Sequence, residues 1–101
     1  MPHVTSFKFK AKTGERQAVI DIFQRWERER KSKTKGFVRS VLVSKYSDPD
    51  EFMVTVVFES KESYDANSNS PEQGDWFTEL RSHLTADPDW FDGNLELQAT
   101  A

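Results

Sequence analysis

Cysteine is absent from this chain, and histidine nearly so, with two residues in 101. Without cysteine there is no disulfide, no thiolate zinc site, no iron–sulfur cluster and no thiol nucleophile. His3 and His83 belong to no HxH or HExxH spacing, so a metal site would have to gather ligands from distant elements, and none is expected. The four glycines (Gly14, Gly36, Gly74, Gly93) are scattered, which leaves no GxGxxG and no Walker loop for a nucleotide. No nucleophile elbow or Ser–Lys pair stands out. Asp48/Asp50 and Asp87/Asp89 each bracket a proline, so turn formation explains them better than acid–base work. No apolar stretch nears the roughly 20 residues of a membrane span. The first six residues, Met1 to Ser6, lack the apolar segment of a secretion signal. The expectation is a cytoplasmic protein with no membrane partner.

What the chain does contain is one domain's worth of residues, 1–101, with 23 Leu, Ile, Val and Phe. Three Trp and two Tyr join eight Phe, so the interior should be built on rings. A chain this short leaves much of its surface wet, and a second chain covering an apolar face would help it.

Charge is unevenly spread. Residues 1–50 hold twelve Lys/Arg against six Asp/Glu, and residues 51–101 hold two against eleven. The densest basic run is Arg25, Arg28, Arg30, Lys31, Lys33 and Lys35. A nucleic-acid surface is one reading of it. The preferred one is the solvated end of a helix, where cations complement the dipole and Glu27–Lys31 and Asp21–Arg25 are well-oriented i,i+4 pairs.

Alternation of Phe7 and Phe9 with Lys8 and Lys10 predicts a first strand over about 3–11. Thr13-Gly14-Glu15 predicts a helix start, and Val19, Ile22, Phe23 and Trp26 form one apolar face of a helix over about 15–31. Residues 37–43 and 52–58 read as strands, apolar on both faces, joined by turn chemistry at 47–50 into an antiparallel hairpin. Both faces of such strands must be covered, and one chain's helices cover only one. Ser60 caps a short helix to about Asn67. Ser70-Pro71-Glu72-Gln73 opens another with an N-cap Ser, Pro at N1 and Gln completing a capping box. That helix presents Trp76, Phe77, Leu80, His83 and Leu84. Asp92-Gly93-Asn94 reads as a turn before a last strand at Leu95, Leu97 and Ala99. The order β-α-β-β-α-β is the ferredoxin-like α+β arrangement, an antiparallel sheet with two main helices on one face.

An RNA-binding sheet of this topology needs an aromatic–basic third strand. Phe52 to Glu59 has no Lys or Arg, so nucleic acid is not expected as a partner. There remains an aromatic second half in which Tyr64, Trp76, Phe77, Trp90 and Phe91 could wall a cleft. Arg39, Asn67 and His83 are polar side chains that could point into it. Apolar pockets with few polar groups are what small ligands use.

The passage Phe58-Glu59-Ser60-Lys61-Glu62-Ser63-Tyr64-Asp65-Ala66-Asn67 resembles the "W-x-S-x-E-A-Y-x-A-H" segment of the antibiotic biosynthesis monooxygenase-like domains, members of the dimeric α/β-barrel superfamily. Ser68-Asn69-Ser70-Pro71-Glu72 is similar to the "x-x-S-P-E/H" helix start that follows it. The likeness is clearest over residues 52–77 and elsewhere lies in length and element order. It implies a homodimer with two sheets face to face, closing a dimeric α/β barrel, and a pocket in each chain. It also implies kinship with cofactor-independent monooxygenases of aromatic polyketides or hydroquinones, and with haem-degrading enzymes. The chain departs from the pattern at Phe58, where the family often has Trp, and at Asn67, where it often has His. Haem degradation is disfavoured, because Phe77 stands near the place of an axial His and neither it nor Asn67 readily ligates iron.

The expected function is therefore cofactor-independent monooxygenation of an aromatic, quinol-type small molecule. His83 would be the base, Arg39 and Asn67 the hydrogen-bond partners of an anion or carbonyl, and Tyr64, Trp76, Phe77 and Phe58 the substrate-binding walls. The alternative is a non-catalytic dimeric protein, ligand-binding or stress-related, and the lack of a cavity large enough for a bicyclic ring would favour it.

Overall fold

Period-two alternation in the first strand decides the architecture. The computed structural model describes residues 1–101 and orders them as β1 (His3–Lys10), α1 (Arg16–Glu29), β2 (Phe37–Lys45), β3 (Asp48–Phe58), α2 (Lys61–Ser68), α3 (Pro71–Ser82) and β4 (Asp89–Asn94). The strands form one antiparallel sheet in the order β2-β3-β1-β4, the ferredoxin-like topology. Opposite β1, the register sets His3 against Phe58, Thr5 against Val56, Phe7 against Val54 and Phe9 against Phe52. These residues face the helices, and Lys8 and Lys10 face away.

The core lies under that face. Phe7, Phe9, Phe52 and Val54 meet Val19 and Ile22 of α1 and Leu80 of α3, all buried. Phe9 is at its centre, with the rings of Phe7, Phe52 and Phe23 at 5.7, 5.5 and 6.0 Å. Offset ring pairs of this kind each add about 0.5–1.5 kcal/mol beyond area burial.

Local chemistry sets the ends of the elements, in places not as expected. Glu15 occupies the N-cap of α1 with no side-chain capping bond, since its carboxylate accepts from His83 Nδ1 at 2.7 Å instead. α2 begins with a reciprocal capping box between Ser60 and Ser63. α3 has Ser70 Oγ accepting from Gln73 N–H at 3.3 Å, but the return half of its box is missing. The Gln73 side chain accepts from Trp26 Nε1 at 2.9 Å, a tertiary bond in place of the local one. The hairpin turn is only Tyr46-Ser47, and Asp48-Pro49-Asp50 already belongs to β3.

The last strand is displaced from its expected place. β4 is Asp89–Asn94, and residues 95–101 carry no regular structure. Pairing with β1 overrides the turn chemistry of Asp92-Gly93-Asn94. Trp90 stacks on Phe7 at 4.5 Å, and Thr5 Oγ1 donates to Asp92 Oδ1 at 2.6 Å, which locks the register.

The sheet's other face has no helix. Val41, Val43, Met53 and Phe91 stand on it with 47, 49, 41 and 74% of their surface exposed. No helix is long and apolar enough to cross a membrane.

Candidate functional site

Only 15 of 101 residues are buried, so many of the rings do not serve as core. They wall a cavity of about 580 Å³ between the sheet and the three helices. Its floor comes from β1, β3 and β4 through Thr5, Phe7, Val54, Val56, Phe58 and Trp90. Its roof comes from Phe23 and Trp26 of α1, Tyr64 and Asn67 of α2, and Gln73, Gly74, Trp76 and Phe77 of α3. The volume falls within the roughly 300–1,000 Å³ typical of small-ligand sites and accommodates a fused aromatic system.

The two indoles of the roof have their N–H groups committed. Trp76 Nε1 donates to the Ile22 carbonyl at 3.2 Å, and Trp26 Nε1 to Gln73 Oε1. Fixed in this way, they offer a ligand apolar ring surface and no donor. The polar groups on the cavity are Asn67, the amide NH₂ of Gln73, Ser40, the α2 residues Lys61, Asp65 and Ser68, and a cluster on β1 and β4.

That cluster is His3, Thr5 and Asp92. His3, 6% exposed, brings Nε2 to 2.7 Å from Thr5 Oγ1 and 3.4 Å from Asp92 Oδ1, and its ring stacks on Tyr64 at 4.3 Å. Phe58 meets the other side of Tyr64 edge-on at 5.5 Å. Beside them Lys61 is held above the usual lysine range, chiefly by its hydrogen bond with Asp65, with the charge of Asp92 adding a smaller push. Its ammonium thus stays charged across the neutral range, next to the polar end of an otherwise apolar space.

Of the residues expected from the sequence, the structure brings Tyr64, Trp76, Phe77, Phe58 and Asn67 together around this cavity, and Trp90 with them. Three others lie elsewhere. Arg39 pairs with Val57 on the far face of the sheet, because a bulge between Phe37 and Arg39 sets which side it takes. Phe91 points to that same face, opposite Ser6. His83 caps the C-terminus of α3 and is tied to Glu15, in a shallow cleft with Arg25 and Glu79 that does not reach the rings. Glu79 is held below the usual carboxylate range by its hydrogen bond with Arg25, which draws one member of the basic run into an ion pair. Lys31 is taken up likewise by Glu27.

His3, Thr5 and Asp92 were missed by the sequence reading. The only signal for His3 was its place on the phase of Phe7 and Phe9, which puts it on the helix side of β1. As for metals, no three His, Asp or Glu side chains are grouped to hold an ion.

The family model described as antibiotic biosynthesis monooxygenase matches residues 2–79. No curated protein matches the chain in sequence. Among solved structures, a cofactor-independent oxygenase of Streptomyces nogalater, SnoaB, superposes with a TM-score of 0.83 at 15% identity, over 96% of this chain and 95% of that one. A Chloroflexus aurantiacus J-10-fl protein, whose own antibiotic biosynthesis monooxygenase designation is provisional, gives 0.79 at 24% identity, over 100% and 98%. Rv0793 of Mycobacterium tuberculosis gives 0.83 at 14%, over 99% and 100%. At these identities the likeness is one of fold.

Proposed function

The chain belongs to the antibiotic biosynthesis monooxygenase family, and from that premise we propose that it oxidises a hydroxylated aromatic of quinol or naphthol type with dioxygen, using no bound cofactor. The observation that carries this reading is the ring-walled cavity with polar groups confined to a few places. The reaction balances as phenol plus O₂ giving quinone plus water. The ring carbon para or ortho to the hydroxyl gains one oxygen atom as a carbonyl. The other oxygen leaves as water with the hydrogens of that C–H and of the O–H. The electrons come from the substrate, whose anion reduces dioxygen, so the protein's part is to bind, orient, exclude water and take a proton. Trp26, Trp76 and Phe77 supply the dry walls, while Asn67 and Gln73 can hold the substrate's oxygens. A purely ligand-binding role is less well supported, since the family model that matches the chain is that of monooxygenases.

The test is oxygen uptake by the purified protein, with chelator present, across hydroquinones and dihydroxynaphthalenes. Saturable uptake above a heat-killed control is expected. A flat trace across the panel would overturn the proposal.

The working unit in this proposal is a homodimer whose sheets pack face to face as an α/β barrel. Its support is the sheet face that no helix covers, where Val41, Val43 and Met53 stand exposed together and Phe91 lies across β1 from them. Sedimentation equilibrium should return twice 11.7 kDa at micromolar concentration. A mass of one chain would remove the barrel from this account.

A further inference from the structure

We propose that His3 is the proton acceptor of this cavity, taking the phenolic proton of the substrate on Nδ1; the assignment rests on the hydroxyaromatic reading above. Thr5 has one hydroxyl proton, and it goes to Asp92 Oδ1, 2.6 Å away. The 2.7 Å contact between Thr5 Oγ1 and His3 Nε2 then requires Nε2 to be the donor. Neutral His3 is therefore the Nε2–H tautomer, with its lone pair on Nδ1.

Nδ1 has no bonding partner in the chain, where the one bonded ring nitrogen is Nε2. The single fully enclosed side-chain nitrogen or oxygen without a partner is Arg30 Nε, so Nδ1 retains accessible surface. His3 is one of the residues that line the cavity. A buried imidazole on the cavity wall, with one nitrogen anchored to Thr5 beside a carboxylate and the other without a partner in the chain, has the arrangement a general base needs.

In the step itself the substrate O–H bond breaks and the Nδ1–H bond forms, with the bonding electron pair remaining on the phenolate oxygen. The resulting imidazolium donates through Nε2 toward Thr5, lies 3.4 Å from the Asp92 carboxylate and is stacked on the Tyr64 ring. Asp92 is a positioning residue. The charged or titratable groups around His3 are Asp92 of β4 and Lys61, Tyr64 and Asp65 of α2; the β3 residue opposite it is Phe58.

The probe is 4-nitrophenol, whose ionisation is read from phenolate absorbance and needs no turnover. Bound to the wild type, it should ionise at a pH about one unit below its free value, a tenfold change. In His3→Gln that displacement should vanish while binding persists, and in Asp92→Asn it should shrink. His83→Ala should behave as wild type. Asp92, whose side chain is 51% exposed, tolerates change, so Asp92→Asn carries the test if His3→Gln does not fold. Binding with the same ionisation midpoint in wild type and His3→Gln would overturn the role of His3 and leave the cavity reading standing. So would a displacement that depends on His83. No binding to the wild type would overturn both readings.

Discussion

Phe58→Ala should lower the free energy of unfolding by about 4 kcal/mol, within the roughly 3–5 kcal/mol measured for deleting a buried phenyl ring. Phe58 is 1% exposed and holds two neighbours edge-on, Phe37 at 5.8 Å and Tyr64 at 5.5 Å. Its removal leaves a hole that cannot close by collapse, because it opens into the existing cavity of about 580 Å³. A domain of this size has roughly 5–15 kcal/mol in all, so the variant should melt near or below working temperature. Urea titration should show an earlier midpoint with an unchanged slope. Phe58→Leu keeps much of the volume and should lose less than half as much. A loss below about 1 kcal/mol in the alanine variant would contradict the burial described here, since that is the size of a single buried methylene.

The other large effect is expected from the smallest change. Gly36 has φ +84°, and a β-carbon there would sit 2.5 Å from both Cβ and Oγ of Ser63. Ser63 belongs to the capping box that starts α2, and the Gly36 carbonyl accepts from Glu59 N–H at 2.8 Å, so neither side has room to yield. Gly36→Ala should cost about 3 kcal/mol, combining left-handed backbone strain of about 1–2 kcal/mol with overpacking. Gly14→Ala is the internal reference. Its φ is +83°, but nothing lies within 4 Å of the new carbon, so only the backbone part should appear. In thermal melts the difference between the two variants isolates the collision with α2. Equal losses would mean that α2 is not seated against Gly36. If α2 does shift, Tyr64 and Asn67 move with it, and ligand affinity should fall along with stability.

The hairpin, the three helices and β1 were legible because their signals are local: alternation at Phe7/Phe9, the stripe Val19–Ile22–Phe23–Trp26, and caps at Ser60 and Ser70. β4 was not. Asp92-Gly93-Asn94 has turn chemistry, and only partners some 87 residues away, Thr5 among them, make it a strand. The same physics hid part of the site. Tyr64, Trp76 and Phe77 could be read as walls because helical spacing puts them on inward faces. Arg39 went astray because a single bulge reverses which face it takes. His83 looked inward by periodicity, but the helix ends at Ser82 and frees it to reach Glu15. His3 gains its chemistry only from Asp92, and nothing near either residue in sequence announces the pair.

The Leu95 N–H donates to the Pro2 carbonyl at 3.0 Å, so β1 is closed on that side by a segment made about 80 residues after it. During synthesis at about 5–20 residues/s, β1 then waits on the order of 4–16 s for β4. In that interval the backbone edge of β1 that β4 will take is unpaired, and a passing strand can add to it. Lys8 and Lys10 alternate with Phe7 and Phe9, and two cations on so short a segment disfavour its stacking on copies of itself. Lysines with no part in the cavity thus bear on how β1 fares before it is paired.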